Sequence, residues 1–273
     1  MGIANRTSLL TAYFSPQRNF PISLTEVIRN GLLQKTGARI GPTYLLSVAD
    51  RGSLQELKLR GIPDPLFWPK QLDRWELLKC CTECLYPPHW HHYEEPETTV
   101  EQGENVVDCG AAEGLFALSV ARRAGKLALF EPWSGFRESL HATFGSRAVV
   151  LEQAVGSRSH TARLKGGVLY GVVSETEGDP IQVTTLDEFR PGFGPINFIK
   201  ADVEGAEHDL LSGARETLLA DKPKIAITCY HIGNDWEHMV RLVRSVVPAY
   251  QYRVNGLFWS GRKPRPVMLH LWV

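Results

Sequence analysis

Residues 105–125 constrain the fold more than any other stretch. They read Asn105-Val-Val-Asp108-Cys-Gly110-Ala-Ala-Glu113-Gly114, then Leu115-Phe-Ala-Leu-Ser-Val-Ala-Arg-Arg-Ala-Gly125. A short apolar run ends in a carboxylate, a turn bounded by two glycines follows, and a helical pattern begins. Phe116, Val120 and Ala124 recur at i, i+4 and i+8 with Ala117 and Ala121 beside them, and Gly125 stands where a helix C-cap belongs. This is the strand-turn-helix that begins an open α/β sheet, where ligands bind outside the carboxyl ends of the strands.

A dinucleotide fingerprint starting at Gly110 needs glycine at 112 and glycine or alanine at 115, but the chain has Ala112 and Leu115. Charge excludes a diphosphate too. Asp108 precedes the first glycine by two residues and Glu113 lies inside the turn, where a diphosphate wants free backbone N–H groups. A ligand carrying an ammonium and a sulfonium finds such a site favourable, because opposite charges attract strongly in a partly desolvated pocket. The next apolar run, Lys126-Leu-Ala-Leu-Phe-Glu131-Pro132, ends in an acid about 20 residues after the turn, the usual holder of ribose hydroxyls. Acid, glycine turn and second acid together describe a site for S-adenosylmethionine, leaving S-adenosylhomocysteine as product. Its expected contacts are Asp108, Gly110, Ala111, Glu113, Gly114, Glu131, Pro132 and Asp202. The structural alternative is a strand-turn-helix with incidental acids.

With 273 residues and 43% hydrophobic content, the chain can build one large core plus an appendage. Lysine plus arginine and aspartate plus glutamate are both 30. No basic excess supplies a phosphate-tracking surface, so no nucleic-acid partner is expected. Five cysteines, an odd number at irregular spacing, fit a reducing compartment. The first residues lack the apolar core of a signal peptide, and no run approaches a membrane span. A cytoplasmic protein with no membrane partner is expected.

Residues 1–95 differ from the catalytic domain expected over 96–273 and read as a mixed, partly helical appendage that helps to roof the pocket. Ser23-Leu-Thr-Glu26 matches a capping box, with Val27, Ile28, Leu32 and Leu33 giving a short amphipathic helix. Gly37, Gly41 and Pro42 break it, residues 61–70 form a proline- and aromatic-rich connection, and Trp75, Leu77, Leu78 and Leu85 mark a second helix ending at Tyr86. Cys80, Cys81 and Cys84 with His89, His91 and His92 invite a zinc reading. The spacing is too short for a Cys2His2 finger and two prolines intervene, so core cysteines and a histidine loop are expected. Tyr93, Glu94 and Glu95 either border the cofactor mouth or form a solvated linker.

After Pro132, residues 134–145 carry Phe136, Leu140 and Phe144 on one helical face. Residues 148–155 form a third strand with Gln153 and Ala154 at its carboxyl end, the position that faces adenine. From Gly156 to Val183 alternation at Leu164, Val168, Tyr170, Val172, Ile181 and Val183 predicts an inserted hairpin, and Thr185-Leu-Asp-Glu188 opens a short helix ending by Pro191. In the second informative stretch, Ile196-Asn-Phe-Ile-Lys200-Ala-Asp202-Val-Glu204-Gly-Ala-Glu207, a buried strand has lysine and acids crowded at its carboxyl end. A helix over 206–219 follows. The strand 224–231 ends in Tyr230 and His231, a helix carries Met239, Leu242, Val243 and Val246, and two further strands close the sheet.

These residues resemble the FkbM-type family of S-adenosylmethionine-dependent methyltransferases. The marks are Val-Val-Asp108-Cys-Gly110-Ala-Ala-Glu113-Gly114, Phe130-Glu131-Pro132, Thr-Thr-Leu-Asp187-Glu-Phe189 and Ile199-Lys200-Ala-Asp202-Val-Glu204-Gly-Ala-Glu207, in the family's order over residues 93–231. The resemblance implies a Rossmann-like α/β fold: a seven-stranded methyltransferase sheet with the last strand antiparallel. It also implies transfer to hydroxyl groups, often on sugars or polyketide-like metabolites, so the expected partner is a small-molecule acceptor. The chain departs from the pattern at Ala112-Glu113, where many members carry asparagine and a hydrophobic residue. It departs again at Cys229-Tyr230-His231, where an acid before the histidine is common.

Methyl transfer from a sulfonium is an in-line displacement in which an alcohol acceptor sheds its proton, so a base or a metal is needed. Asp202 and His231, at neighbouring strand ends, are the expected proton acceptors or acceptor-orienting groups, with Lys200 and Glu204 shaping the charge around them. The alternative is a structural ion-pair and cap network of Lys200, Asp202 and Glu204 at a helix start. No metal ligand set is assigned; magnesium on Asp202, Asn234 and Asp235 is the less favoured option. Nitrogen or carbon methylation, a non-catalytic S-adenosylmethionine-binding protein, and RNA methylation compete with transfer to oxygen.

Overall fold

The computed structural model describes residues 10, 11, 13–15, 18, 20–28, 37–166, 171–174, 176–231, 235–258 and 264–273. Leu32, Leu33, Val168, Tyr170 and Asn234, named above, lie outside them.

The central sheet contains β4 (Val106–Cys109), β5 (Leu127–Phe130), β6 (Val149–Leu151), β11 (Phe198–Ala201), β12 (Lys224–Thr228), β13 (Gln251–Phe258) and β14 (Arg265–Trp272), in the order β13-β14-β12-β11-β4-β5-β6. From β6 to β12 the strands are parallel, while β14 runs antiparallel to both β12 and β13. This is the seven-stranded sheet implied by the resemblance. Strand parity sorts its side chains into two cores. Val106, Leu129, Phe198 and Ala226 face one layer; Val107, Ala128, Ile199 and Ile225 face the other.

Helices cover both faces, as a parallel sheet requires. α3 (Leu115–Val120) and α4 (Arg137–Phe144) share a core with the appendage. α5 (Leu186–Phe193), α6 (Glu207–Ser212), α7 (Arg215–Asp221) and α8 (Trp236–Val246) supply the opposite layer. Thr185 caps α5 by accepting from Glu188 N at 3.1 Å, as the capping-box pattern predicts, and the helix runs through Pro191 to Phe193.

Five expectations need correction. Residues 61–70 are not a connection: β3 (Ile62–Pro69) joins β1 (Leu45–Arg51) and β2 (Leu54–Leu59) in an antiparallel sheet, with β3 at an edge where proline removes no required hydrogen bond. Gly37, Gly41 and Pro42, expected to be helix breakers, themselves lie in a helix, α1 (Gly37–Tyr44). A Cβ at Gly41 would stand 2.2 Å from Leu78 O, so glycine lets α1 lie directly on α2 (Arg74–Leu85). The third strand divides at Glu152, and its second half, β7 (Gln153–Val155), leaves the main sheet. The inserted hairpin is therefore a four-stranded sheet, β7-β10-β8-β9, with β8 at His160–Lys165, β9 at Val172–Ser174 and β10 at Asp179–Thr184. Finally, the helix expected over 206–219 breaks between α6 and α7. Gly213 lies there against the Gly156 carbonyl, which a Cβ would approach to 2.1 Å.

Leu57, Leu66, Trp68, Leu77 and Cys81, all N-terminal to the central sheet, are buried in the same cluster as Phe116 of α3 and Phe144 of α4. No helix among the described residues is long and apolar enough to cross a membrane.

Candidate active site

Parity and register explain the first feature of the site. Lys200 on β11 pairs with Asp108 on β4, and each follows a residue pointing to the opposite layer, so both side chains enter the same face. Lys200 is 4% exposed and Asp108 1%. The Lys200 Nζ lies 2.9 Å from Asp108 Oδ1 and donates to Gly110 O at 2.5 Å. Burial alone would lower the Lys200 pKa, but Asp108 and Asp202 outweigh it and hold the ammonium above its ordinary value. Burial raises the Asp108 carboxyl, and Lys200 only partly offsets that.

The glycine turn wraps this pair. Gly110 has φ +73°, and a Cβ there would come within 1.9 Å of Asp202 O. Gly110→Ala is therefore expected to displace the 110–114 turn or the Asp202 peptide and weaken cofactor binding more than tenfold, measured by calorimetry. Gly114 (φ +83°) packs against Phe144, which a Cβ would meet at 2.6 Å. Ala112 N donates to Glu131 Oε2 at 2.8 Å and Trp133 N to Glu131 Oε1 at 2.9 Å. These two donors lower the Glu131 pKa, yet burial dominates and pushes it to about 7; burial does the same to Glu113.

Beyond the turn, Asp202 lies among donors. Tyr93 Oη donates to its Oδ2 at 2.9 Å, and the Thr228 hydroxyl reaches Oδ1 at 3.2 Å. His91 Nε2 and His231 Nε2 stand 3.7 and 3.9 Å away. Burial would raise the carboxyl, but His91, Lys200, His231 and Tyr93 together hold it below the ordinary aspartate value. His231 in turn contacts Glu207 Oε1 through Nδ1 at 2.6 Å and Glu204 Oε2 through Nε2 at 3.3 Å. Burial would lower its pKa; these carboxylates overcome that and raise it to about 10. Raised in this way, His231 holds its proton at neutral pH in the free protein.

These groups border an open crevice. Of the residues singled out from the sequence, Gly110, Ala111, Glu113, Glu131, Pro132, Gln153, Ala154, Lys200, Asp202 and Glu204 line it. Asp108 lies behind Lys200, Gly114 behind the turn, and His231 behind Asp202. Sequence reasoning missed Glu83, Trp133 and the support given by Glu207, and it left Tyr93 undecided between mouth and linker. Cys80, Glu83 and Cys84 of α2 line the crevice, as do Leu164 and Val173 of the small sheet. Burial pushes all three α2 thiols up, Cys81 to about 12, which keeps them protonated. Among the described residues they gather with no histidine into a metal-holding group. Asp235, the other residue of the magnesium option, caps α8 by accepting from Glu237 N.

Sheet order, glycine turn and acidic strand ends define a Rossmann-like methyltransferase. The Methyltransferase FkbM domain matches residues 108–254, and the chain belongs to that S-adenosylmethionine-dependent family. A solved structure of methyltransferase FkbM from Methylobacillus flagellatus KT is 21% identical with a TM-score of 0.50, the match covering 74% of this chain and 56% of that one. Precorrin-6y C5,15-methyltransferase from Geobacter metallireducens GS-15 is 9% identical with a TM-score of 0.41, covering 63% of this chain and 82% of that one. Aeropyrum pernix fibrillarin, solved with natively bound S-adenosyl-L-methionine, is 11% identical with a TM-score of 0.38, covering 84% and 99%. At 21% identity the likeness to the Methylobacillus flagellatus structure establishes the fold alone. No curated protein matches the chain.

Proposed function

We propose that the protein transfers a methyl group from S-adenosylmethionine to a hydroxyl of a small metabolite, with residues 96–273 as the catalytic domain and residues 1–95 as an appendage roofing the acceptor end. The observation that carries this reading is Asp202, a carboxylate kept ionised on the crevice wall between the glycine turn and α2. An acceptor hydroxyl needs a proton acceptor at such a place.

The residues fit the cofactor. Glu131 already accepts two backbone N–H groups and keeps lone pairs for ribose hydroxyls. Gly110, Ala111 and Glu113 would flank the methionine part, and Pro132, Trp133, Phe136, Gln153 and Ala154 the adenine. When bound, the cofactor supplies a methyl group on a positively charged sulfur, which buried carboxylates favour. Asp202 takes the proton of the acceptor hydroxyl. Tyr93 fixes that carboxylate's orientation, and His231, held by Glu204 and Glu207, keeps the surrounding charge in place.

Calorimetry with S-adenosylmethionine tests the cofactor. Mass spectrometry of metabolite extracts incubated with enzyme and cofactor tests the acceptor, the expected product being an alcohol heavier by one methyl. Cofactor binding with no methylated product from any extract would favour a non-catalytic binding protein. Affinity should also depend on pH. Ribose hydroxyls donate more strongly to Glu131 when it is charged, and burial pushes its carboxyl to about 7 in the free protein. Affinity is therefore full above pH 7 and falls by up to about tenfold per unit below it. Glu131→Gln should bind more weakly and lose this part of the slope.

A further inference from the structure

We infer that Asp202, Glu207 and His231 form a binding site for a divalent first-row cation of the Mn²⁺ type beside the acceptor end of the crevice. The three side chains come from separate segments: Asp202 follows β11, Glu207 opens α6 and His231 follows β12. One donor atom of each lies within 4.8 Å of the other two. Oxygen ligands about 2.1 Å from a small divalent ion stand about 3 to 4.2 Å apart. Small side-chain rotations bring this set onto one ion.

A second observation is independent of that spacing. Glu207 has no exposed surface. Its Oε1 takes His231 Nδ1 at 2.6 Å, Thr228 Oγ1 at 3.0 Å and Val203 N at 3.3 Å, while its Oε2 is buried without any hydrogen-bond partner. A carboxylate oxygen shut away from water without a hydrogen bond is costly to retain, and a cation supplies the partner it lacks. His231 Nε2 is also buried without a hydrogen bond, and an ion bound there takes the place of its proton. Glu204 Oε2, 3.3 Å from it, offers a further oxygen on the crevice side. Two carboxylates and an imidazole make a mixed oxygen and nitrogen set, which suits Mn²⁺, Fe²⁺ or Zn²⁺ better than the all-oxygen cations. The ion site stands on these atoms alone. That its open side meets the acceptor oxygen, lowering the hydroxyl pKa, rests on the proposed function.

The test is titration of chelator-treated, desalted full-length protein with Mn²⁺ alone, free ion being followed by electron paramagnetic resonance. One ion per chain is expected, with affinity lowered at least about tenfold in Asp202→Asn, Glu207→Gln and His231→Gln. Asp235→Asn, at the α8 cap outside the group, should bind as wild type does. Thermal unfolding shows which variants fold; Asp202→Asn is isosteric and keeps the test decisive should Glu207→Gln not fold. Absence of stoichiometric binding in the wild type, or equal binding in wild type and Asp202→Asn, overturns the inference. Calorimetry with S-adenosylmethionine on the same preparation separates the two readings. Cofactor binding without Mn²⁺ binding rejects the ion site alone, and Mn²⁺ binding without cofactor binding rejects the proposed function alone.

Discussion

Lys200→Met is expected to destabilise the protein by about 3–5 kcal/mol and to abolish cofactor binding. Methionine fills similar space, so the loss comes from charge and not from a cavity. Asp108 is 1% exposed, and its carboxylate has the Lys200 ammonium at 2.9 Å as its neutralising partner. With that partner gone, Asp108 must either stay charged in a low dielectric or bind a proton, and both cost stability at neutral pH. Binding suffers as well, because the ammonium also holds the Gly110 carbonyl and hence the glycine turn.

The pH dependence identifies the cause. Asp108 already has a raised carboxyl pKa in the folded protein, and removing Lys200 raises it further. Between the unfolded value of about 3.9 and that raised value the folded state holds more protons than the unfolded one, so stability falls as pH rises. Urea unfolding should therefore show the variant nearest to wild type at acid pH and furthest from it above neutrality. Adding Asp108→Asn to Lys200→Met should recover much of the loss and flatten the profile. A deficit below about 1 kcal/mol at pH 8 would mean that the pair is not the strut its burial implies.

The sequence exposes this pair only in part. Apolar runs ending in Asp108, Glu131 and Asp202 reveal the strands and their functional ends, because buried parallel strands need continuous hydrophobic residues and their tips do not. What the sequence lacks is pairing. Lys200 and Asp108 are 92 residues apart, and their contact depends on β11 lying beside β4 in one register. Glu207 illustrates the same limit. In the sequence it is one more acid at a helix start, yet folded it is fully buried against His231, which lies just beyond β12. The appendage is harder still. Prolines 63, 65 and 69 argue against a strand unless it is known that β3 is an edge, and Gly41 marks a break unless it is known that α2 needs a close neighbour. Both are tertiary facts that override local propensity. The small sheet was readable as β but not as four strands, since departure of the chain at Glu152 leaves no local mark.

Asp202→Asn is expected to lower kcat by about 10²–10⁴ while changing S-adenosylmethionine affinity less than about threefold. The substitution keeps size and shape, so the Asp202 N bond to Cys109 O and the packing against Tyr93 should persist. What it removes is the charge that the hydroxyl proton would join. A purely structural network of Lys200, Asp202 and Glu204 predicts the reverse pattern: a lower unfolding temperature with kcat nearly unchanged on whichever acceptor the extracts reveal. Tyr93→Phe supplies the graded comparison. It leaves the carboxylate but removes the hydrogen bond at 2.9 Å that fixes its direction, which is worth about 1.5–3 kcal/mol when the acceptor is charged. Its kcat should fall by about tenfold to a hundredfold, less than in Asp202→Asn. Because the two residues act on one proton transfer, the double variant should be no slower than Asp202→Asn alone. Additive losses would instead mean that Tyr93 meets the substrate by a route of its own.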